Sequence, residues 1–301
     1  MPNFSQTEQS IRDLFVKGVK FNYDGIDYTV ENDAVKPTVK SIGGECKTDV
    51  YFVATHSNER KEFKISVKQD NANFLENKIN YDRAKELFGA STDEILKTSI
   101  QSVLSNFETQ NLVYLTAGER TKEKVIKLGW KFELLNVGTG QLAGTVNLTH
   151  DQVLDVYSGS NLPQNKKDAL INGTKVPNSG VANYMMVVNQ KHNLSVDYCV
   201  ENISKMEDYI ALHPNIFFAC KALNYRLTDD KWDGNRPLAV YVDWRFVNGK
   251  ITASLNYNTP LQVKGDAVGN QVKAILRQLK IDKDNFYDIT KYLDPSVNVY
   301  R

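Results

Sequence analysis

Apolar and polar positions along the first ninety residues alternate between helical and strand-like spacing. Residues 5–15 place Ile11, Leu14 and Phe15 on one helical face, with Ser5 as N-cap and Glu8 three positions on, so a helix that docks on a sheet is predicted. FNYDGIDYTVEND then sets Asp24-Gly25 between two short aromatic and β-branched runs, a strong local signal for a hairpin. After Pro37 and the Gly43-Gly44 pair, CKTDVYFVAT and FKISVKQ read as strands joined by polar HSNERKE, an antiparallel hairpin over residues 47–68. FLENKINYDRAKELF predicts a helix closed by Gly89, and another helix starts at Ser91 or Thr92. NLVYLTA reads as a strand, ERTKEKVIKLG as a charged helix and WKFELLNV as a further strand. This alternation predicts an α/β fold with a mixed central sheet flanked by helices.

The texture changes near Gly138, Gly140 and Gly144, where a loop-rich region begins. Beyond it lie a short helix at THDQVLDVY, the apolar run VANYMMVV, a helix near Ser204–Leu212, a hairpin turning on Asn248-Gly249 and a final amphipathic helix, DAVGNQVKAILRQLK. The organisation predicted is a core over residues 1–137 and a C-terminal α+β extension over 138–301.

Composition adds exclusions more than assignments. The 301 residues are 41% hydrophobic, enough for a sizeable core, and the net charge of +1 rules out an overall basic signature, so any nucleic-acid groove must come from local clustering. Cys46, Cys199 and Cys220 are odd in number and widely spaced, which argues against a disulfide framework or a zinc site and fits a reducing, cytoplasmic compartment. The opening helix lacks the apolar core of a secretory signal, and no uncharged apolar run is long enough to span a membrane. The four histidines form no metal-binding pair spacing, and no GxxxxGK[ST] phosphate loop is present.

Within the 47–68 hairpin, Asp49 stands near the start of one strand and Lys68 at the end of its partner, so antiparallel pairing brings both to one end of the sheet. Phosphodiester hydrolysis requires a divalent cation on oxygen ligands, an activated water and a positive group near the developing charge. Asp49 is of the type that holds the cation. Lys68 suits the water or the phosphate, and Ser66 projects to the same face as Lys68 by the period of two.

KTDVYFVA followed by FKISVKQ resembles the PD-(D/E)XK nuclease superfamily, specifically type II restriction endonucleases, in which an Asp, a hairpin and an X-x-Lys tripeptide form the metal site. The match covers roughly residues 5–90, with two departures: Thr48 stands where the family usually has Pro, and Ser66 where it usually has an acid. The resemblance implies an Mg²⁺-dependent endonuclease acting on double-stranded DNA, with Asp49, Ser66, Lys68 and Gln69 in the cleavage site. One branch of the family replaces the missing acid with a carboxylate on the following helix. Asp82, fourteen residues beyond Lys68, ranks first for that part, Glu45 second, and Glu86 and Glu8 are further candidates. Palindromic targets would imply a homodimer. The alternative is a nuclease-fold protein that binds nucleic acid or a protein partner without cutting, which Ser66 in the acid position favours.

A weaker imitation of the pattern, Asp243 with Gln262-Val263-Lys264, is interrupted by the Asn248-Gly249 hairpin. For DNA contact the residue types point to Lys122 with its neighbours Lys124 and Lys127, to Lys166 and Lys167, and to Arg236 and Arg245, since lysine serves phosphates and arginine pairs with guanine. Glu119 and Glu123 partly neutralise the first cluster.

Overall fold

A helix, two hairpins and a returning parallel strand make the sheet that carries Asp49 and Lys68. The computed structural model describes residues 4–40, 45–77, 79–189 and 191–301; the Gly43-Gly44 pair lies outside them. Helix α1 (Phe4–Leu14) is followed by β1 (Lys20–Tyr23), β2 (Ile26–Val30), β3 (Val50–His56) and β4 (Glu59–Gln69). These strands form an antiparallel meander. Strand Tyr184–Val188 then pairs parallel to β4, and Ile203–Lys205 closes the six-stranded sheet. The β1–β2 turn puts Asp24 and Gly25 at φ 57° and 77°, the left-handed geometry that its sequence signals.

The chain divides into two compact units, one of Met1–Asn73 with Leu148–Asn215 and one of Phe74–Asn147 with Ile216–Arg301. A single cut after residue 137 is therefore not the division seen. Strand pairing explains why. A parallel neighbour for β4 requires a long crossover, and the chain builds much of its second unit within that crossover before helix His150–Ser158 and strand Tyr184–Val188 return to the first. Strand Val125–Leu135 meanwhile pairs with Ile216–Arg226 and Val240–Val247, which ties residues 74–147 to the C-terminal part.

The first unit is held by a column of stacked rings. Phe15, directly after α1, lies 4.7 Å from Phe52 of β3, Phe52 lies 4.9 Å from Phe63 of β4, and Phe63 lies 5.1 Å from Tyr184, with ring planes nearly parallel throughout. Ile11 and Phe15 are fully buried in this core, so the apolar stripe of α1 faces the sheet as its spacing predicts. Burying each such ring contributes on the order of 2–3 kcal/mol, and the column fixes four elements against one another.

The second unit is also mixed α/β. Helix Gly265–Gln278 packs on strand Val240–Val247, and the Asn248-Gly249 hairpin forms with both residues at positive φ. Two sequence readings change here. FLENKIN is not helical at its start: Phe74–Glu76 is a short strand and the helix is Tyr81–Phe88, capped by Asn80. ERTKEKVIKLG is not a helix either, because Val125–Leu135 runs as one strand paired on both edges and buried along nearly its whole length. Gly129 permits the close approach, since a Cβ there would collide with the carbonyl oxygen of Val240.

Candidate active site

The register of the β3–β4 hairpin sets Asp49 against the last turn of strand before Lys68. Val50 pairs with Ile65, which leaves Asp49 one step beyond the paired segment. Its backbone N–H donates to Ile65 O at 2.8 Å, and its Oδ2 accepts from the Val67 N–H at 2.8 Å. The carboxylate therefore lies along β4. Ser66 is buried and Lys68 partly exposed, the latter near enough to draw the Asp49 pKa down.

Helix α1 brings another carboxylate, Glu8, near Asp49. Thr7, Ile11 and Phe15 form the column that faces the sheet, and Glu8 and Arg12 form the adjacent one. The buried Gln69 amide donates to Thr7 Oγ1 at 2.9 Å, tying the end of β4 to the start of the helix. Arg12 donates from Nη1 to the Asp49 carbonyl at 3.0 Å and stands 3.8 Å from Glu8 Oε2. Both ties hold Glu8 beside Asp49.

Electrostatics registers that proximity. Burial and then the Glu8 charge push the Asp49 pKa up to about 6, against the Val67 N–H, Lys68 and Lys36, which favour the carboxylate. Lys36, in the loop before β3, answers the negative charge with its Nζ 2.9 Å from Glu8 Oε2 and 3.2 Å from Glu45 Oε2. Burial opposes its charge, yet Glu8, Asp49 and Glu45 together hold its pKa above the ordinary lysine range.

These residues fit a hard divalent cation. Two crowded carboxylates repel until a cation joins them, and Mg²⁺ commonly takes one or two carboxylates, leaving its other positions to water and phosphate. Asp49 and Glu8 meet that requirement. Among the described residues no group of three or more His, Cys, Asp or Glu side chains is arranged around a metal position. Asp82 is exposed on helix Tyr81–Phe88 of the other unit, because the fourteen residues from Lys68 cross the boundary after Asn73. Glu86 on the same helix is paired with Arg83 at 3.2 Å. Glu45 is 78% exposed at its side chain and meets the site through Lys36.

Other candidates are dispersed. Lys166 and Lys167 lie on the short helix Gln164–Lys167 of the first unit. Lys122 and Arg236 are exposed in the second unit, and Arg245, also exposed, is paired with Asp243 at 2.7 Å. Lys127 corrects the reading of its cluster: it is 3% exposed, over the Tyr114 and Trp130 rings at 5.5 and 5.1 Å. Burial lowers its pKa to about 8. The Asp243 imitation also dissolves, since Val263–Lys264 pairs with Pro237–Leu238 in a separate two-stranded sheet. All three cysteines are buried and free, and among the described residues no helix is long and apolar enough to cross a membrane.

Sequence reasoning missed Arg12 and Lys36 and ranked Glu8 low. Glu8 and Arg12 carried a usable signal in their four-residue spacing beside an apolar stripe. Lys36 carried none, because its partners lie 28 positions before it, at Glu8, and nine after it, at Glu45. Comparison with protein-family models, with curated proteins and with solved structures finds no match to this chain.

Proposed function

We propose that the chain is a metal-dependent endonuclease that hydrolyses DNA phosphodiester bonds, as its resemblance to restriction endonucleases implies. The observation that carries the reading is the convergence of Asp49, just before β3, with Glu8 of α1 and Lys68 of β4 at one end of a mixed sheet. Asp49 and Glu8 would hold Mg²⁺, which supplies charge stabilisation at the phosphate and a more acidic water. Lys68 orients that water or stabilises the developing charge. Gln69 acts as a positioning residue through Thr7, and Arg12 does so through the Asp49 carbonyl. Ser66 replaces the usual acid without supplying a charge, so the helix-borne Glu8 completes the pair.

Incubating the protein with plasmid and phage DNA, with Mg²⁺ or with a chelator, tests this. Cleavage that needs Mg²⁺ and disappears in Asp49→Asn and Lys68→Met supports it, with discrete fragments indicating a restriction-type enzyme and a smear a general nuclease. One observation favours a second reading, a nuclease-fold protein that binds but does not cut: Glu8, Glu45 and Asp49 are matched in charge by Arg12, Lys36 and Lys68. Retained DNA binding with no cleavage in any divalent cation would select it.

A further inference from the structure

Lys36 is placed too firmly for a casual surface residue. Its neighbour Val35 exchanges two backbone hydrogen bonds of 2.9 Å with Tyr51, two residues into β3 from Asp49. Pro37 follows it and disfavours helical backbone at Lys36. The loop thus delivers an ammonium to the mouth of the Glu8–Asp49 pair, where it touches Glu8 and Glu45 and is 33% exposed.

Charge balance gives that placement a consequence. Glu8, Glu45 and Asp49 sum to −3, and Arg12, Lys36 and Lys68 to +3, so the cluster is neutral before a metal arrives. One divalent ion brings it to +2, and a second would bring it to +4, with ions about 3.5–4 Å apart in a two-metal site. Glu8 meets both Lys36 and Arg12 through Oε2.

We infer that Lys36 is a built-in second cation: its ammonium, between Glu8 and Glu45, stands in for a second divalent ion and makes this a one-metal site. The inference rests on the nuclease reading and specifies the metal count of the same site. Lys36 is a positioning residue in this role, setting the charge and stoichiometry of the site without itself binding the ion.

Mn²⁺ serves as the probe for Mg²⁺, with bound ions counted from the electron paramagnetic resonance signal of free Mn²⁺ on the full chain near neutral pH. Wild type and Lys36→Arg are expected to bind one ion that Asp49→Asn abolishes. Lys36→Gln is expected to bind two, the first about tenfold tighter. A thermal melt of each variant verifies folding. Two ions on the wild type, or a single ion on Lys36→Gln whatever its affinity, overturns the inference while Mg²⁺-dependent DNA cleavage leaves the nuclease reading standing. No Asp49-dependent Mn²⁺ on any form, with no cleavage, overturns both.

Discussion

Both units bury ionisable groups on a mixed sheet, but they do so differently. In the first, Asp49 sits with its pKa pushed up to about 6, answered by charges from α1, the loop before β3 and β4. In the second, Lys127 has its pKa lowered to about 8 by burial alone, among aromatic rings. Glu133, also buried, meets Lys131 on its own strand at 2.7 Å and Lys221 on the neighbouring strand at 3.0 Å. A perturbed group is common to both units, so perturbation alone does not mark a site. What distinguishes Asp49 is the convergence of acids and bases from separate elements on an accessible sheet end.

The largest effect expected is on chemistry. Asp49→Asn and Lys68→Met should each lower the cleavage rate by about 10³-fold, since positioned ionisable groups typically contribute 10²–10⁴-fold, while Lys127→Met should leave it within about twofold. Initial rates on plasmid DNA at saturating Mg²⁺ check this, and equal losses from all three substitutions would erase the distinction between the units.

Stability should reverse the order of benefit. A carboxylate whose folded pKa exceeds its unfolded value loses stability as pH rises between about 4 and 6. Without metal, Asp49→Asn should therefore gain up to about 3 kcal/mol at pH 7, from a shift of roughly two pKa units, and nothing below about pH 4. Denaturant titrations across that range read the gain, and Mg²⁺ should shrink it by stabilising only the wild type. Lys127 behaves oppositely. Its folded pKa is depressed, so wild-type stability rises with pH from about 8 to about 10.5, and Lys127→Met should gain up to about 2 kcal/mol at pH 7 that fades in alkali. A gain insensitive to Mg²⁺ keeps this residue outside the site.

The smallest effects give the baseline. Thr149 forms a capping box with Gln152 on helix His150–Ser158, and Asn80 caps Tyr81–Phe88. Thr149→Ala and Asn80→Ala should each cost about 1 kcal/mol in denaturant unfolding without changing the pH profile of cleavage. A changed profile for one of them would extend the site to that helix.

The sequence reveals the first unit's hairpins and opening helix because its strands carry β-formers with clear turns and α1 has a clean apolar stripe. It also singles out Asp49 and Lys68, which lie on one hairpin and need only local pairing to meet. The change of texture at residues 138–144 falls near one end of the excursion through residues 74–147. No sequence pattern shows that residues 148–215 return to the first unit, because that return depends on the parallel pairing of Tyr184–Val188 with β4. The first five residues of strand Val125–Leu135 read as the end of a charged helix because the charges of ERTKEK precede them and Lys127 interrupts their apolar run, although Lys127 lies in a strand paired on both edges; the rest reads as strand. The proximity of Glu8 to Asp49 becomes visible only when α1 is docked by the Phe15, Phe52 and Phe63 stack.

The composition of the acid pair is the point on which the account turns, and Mg²⁺-dependent cleavage of DNA by Glu8→Gln beside Asp82→Asn probes it most directly. Loss of cleavage in Glu8→Gln with wild-type rates in Asp82→Asn is the predicted result. Cleavage that survives Glu8→Gln but fails in Asp82→Asn would contradict it.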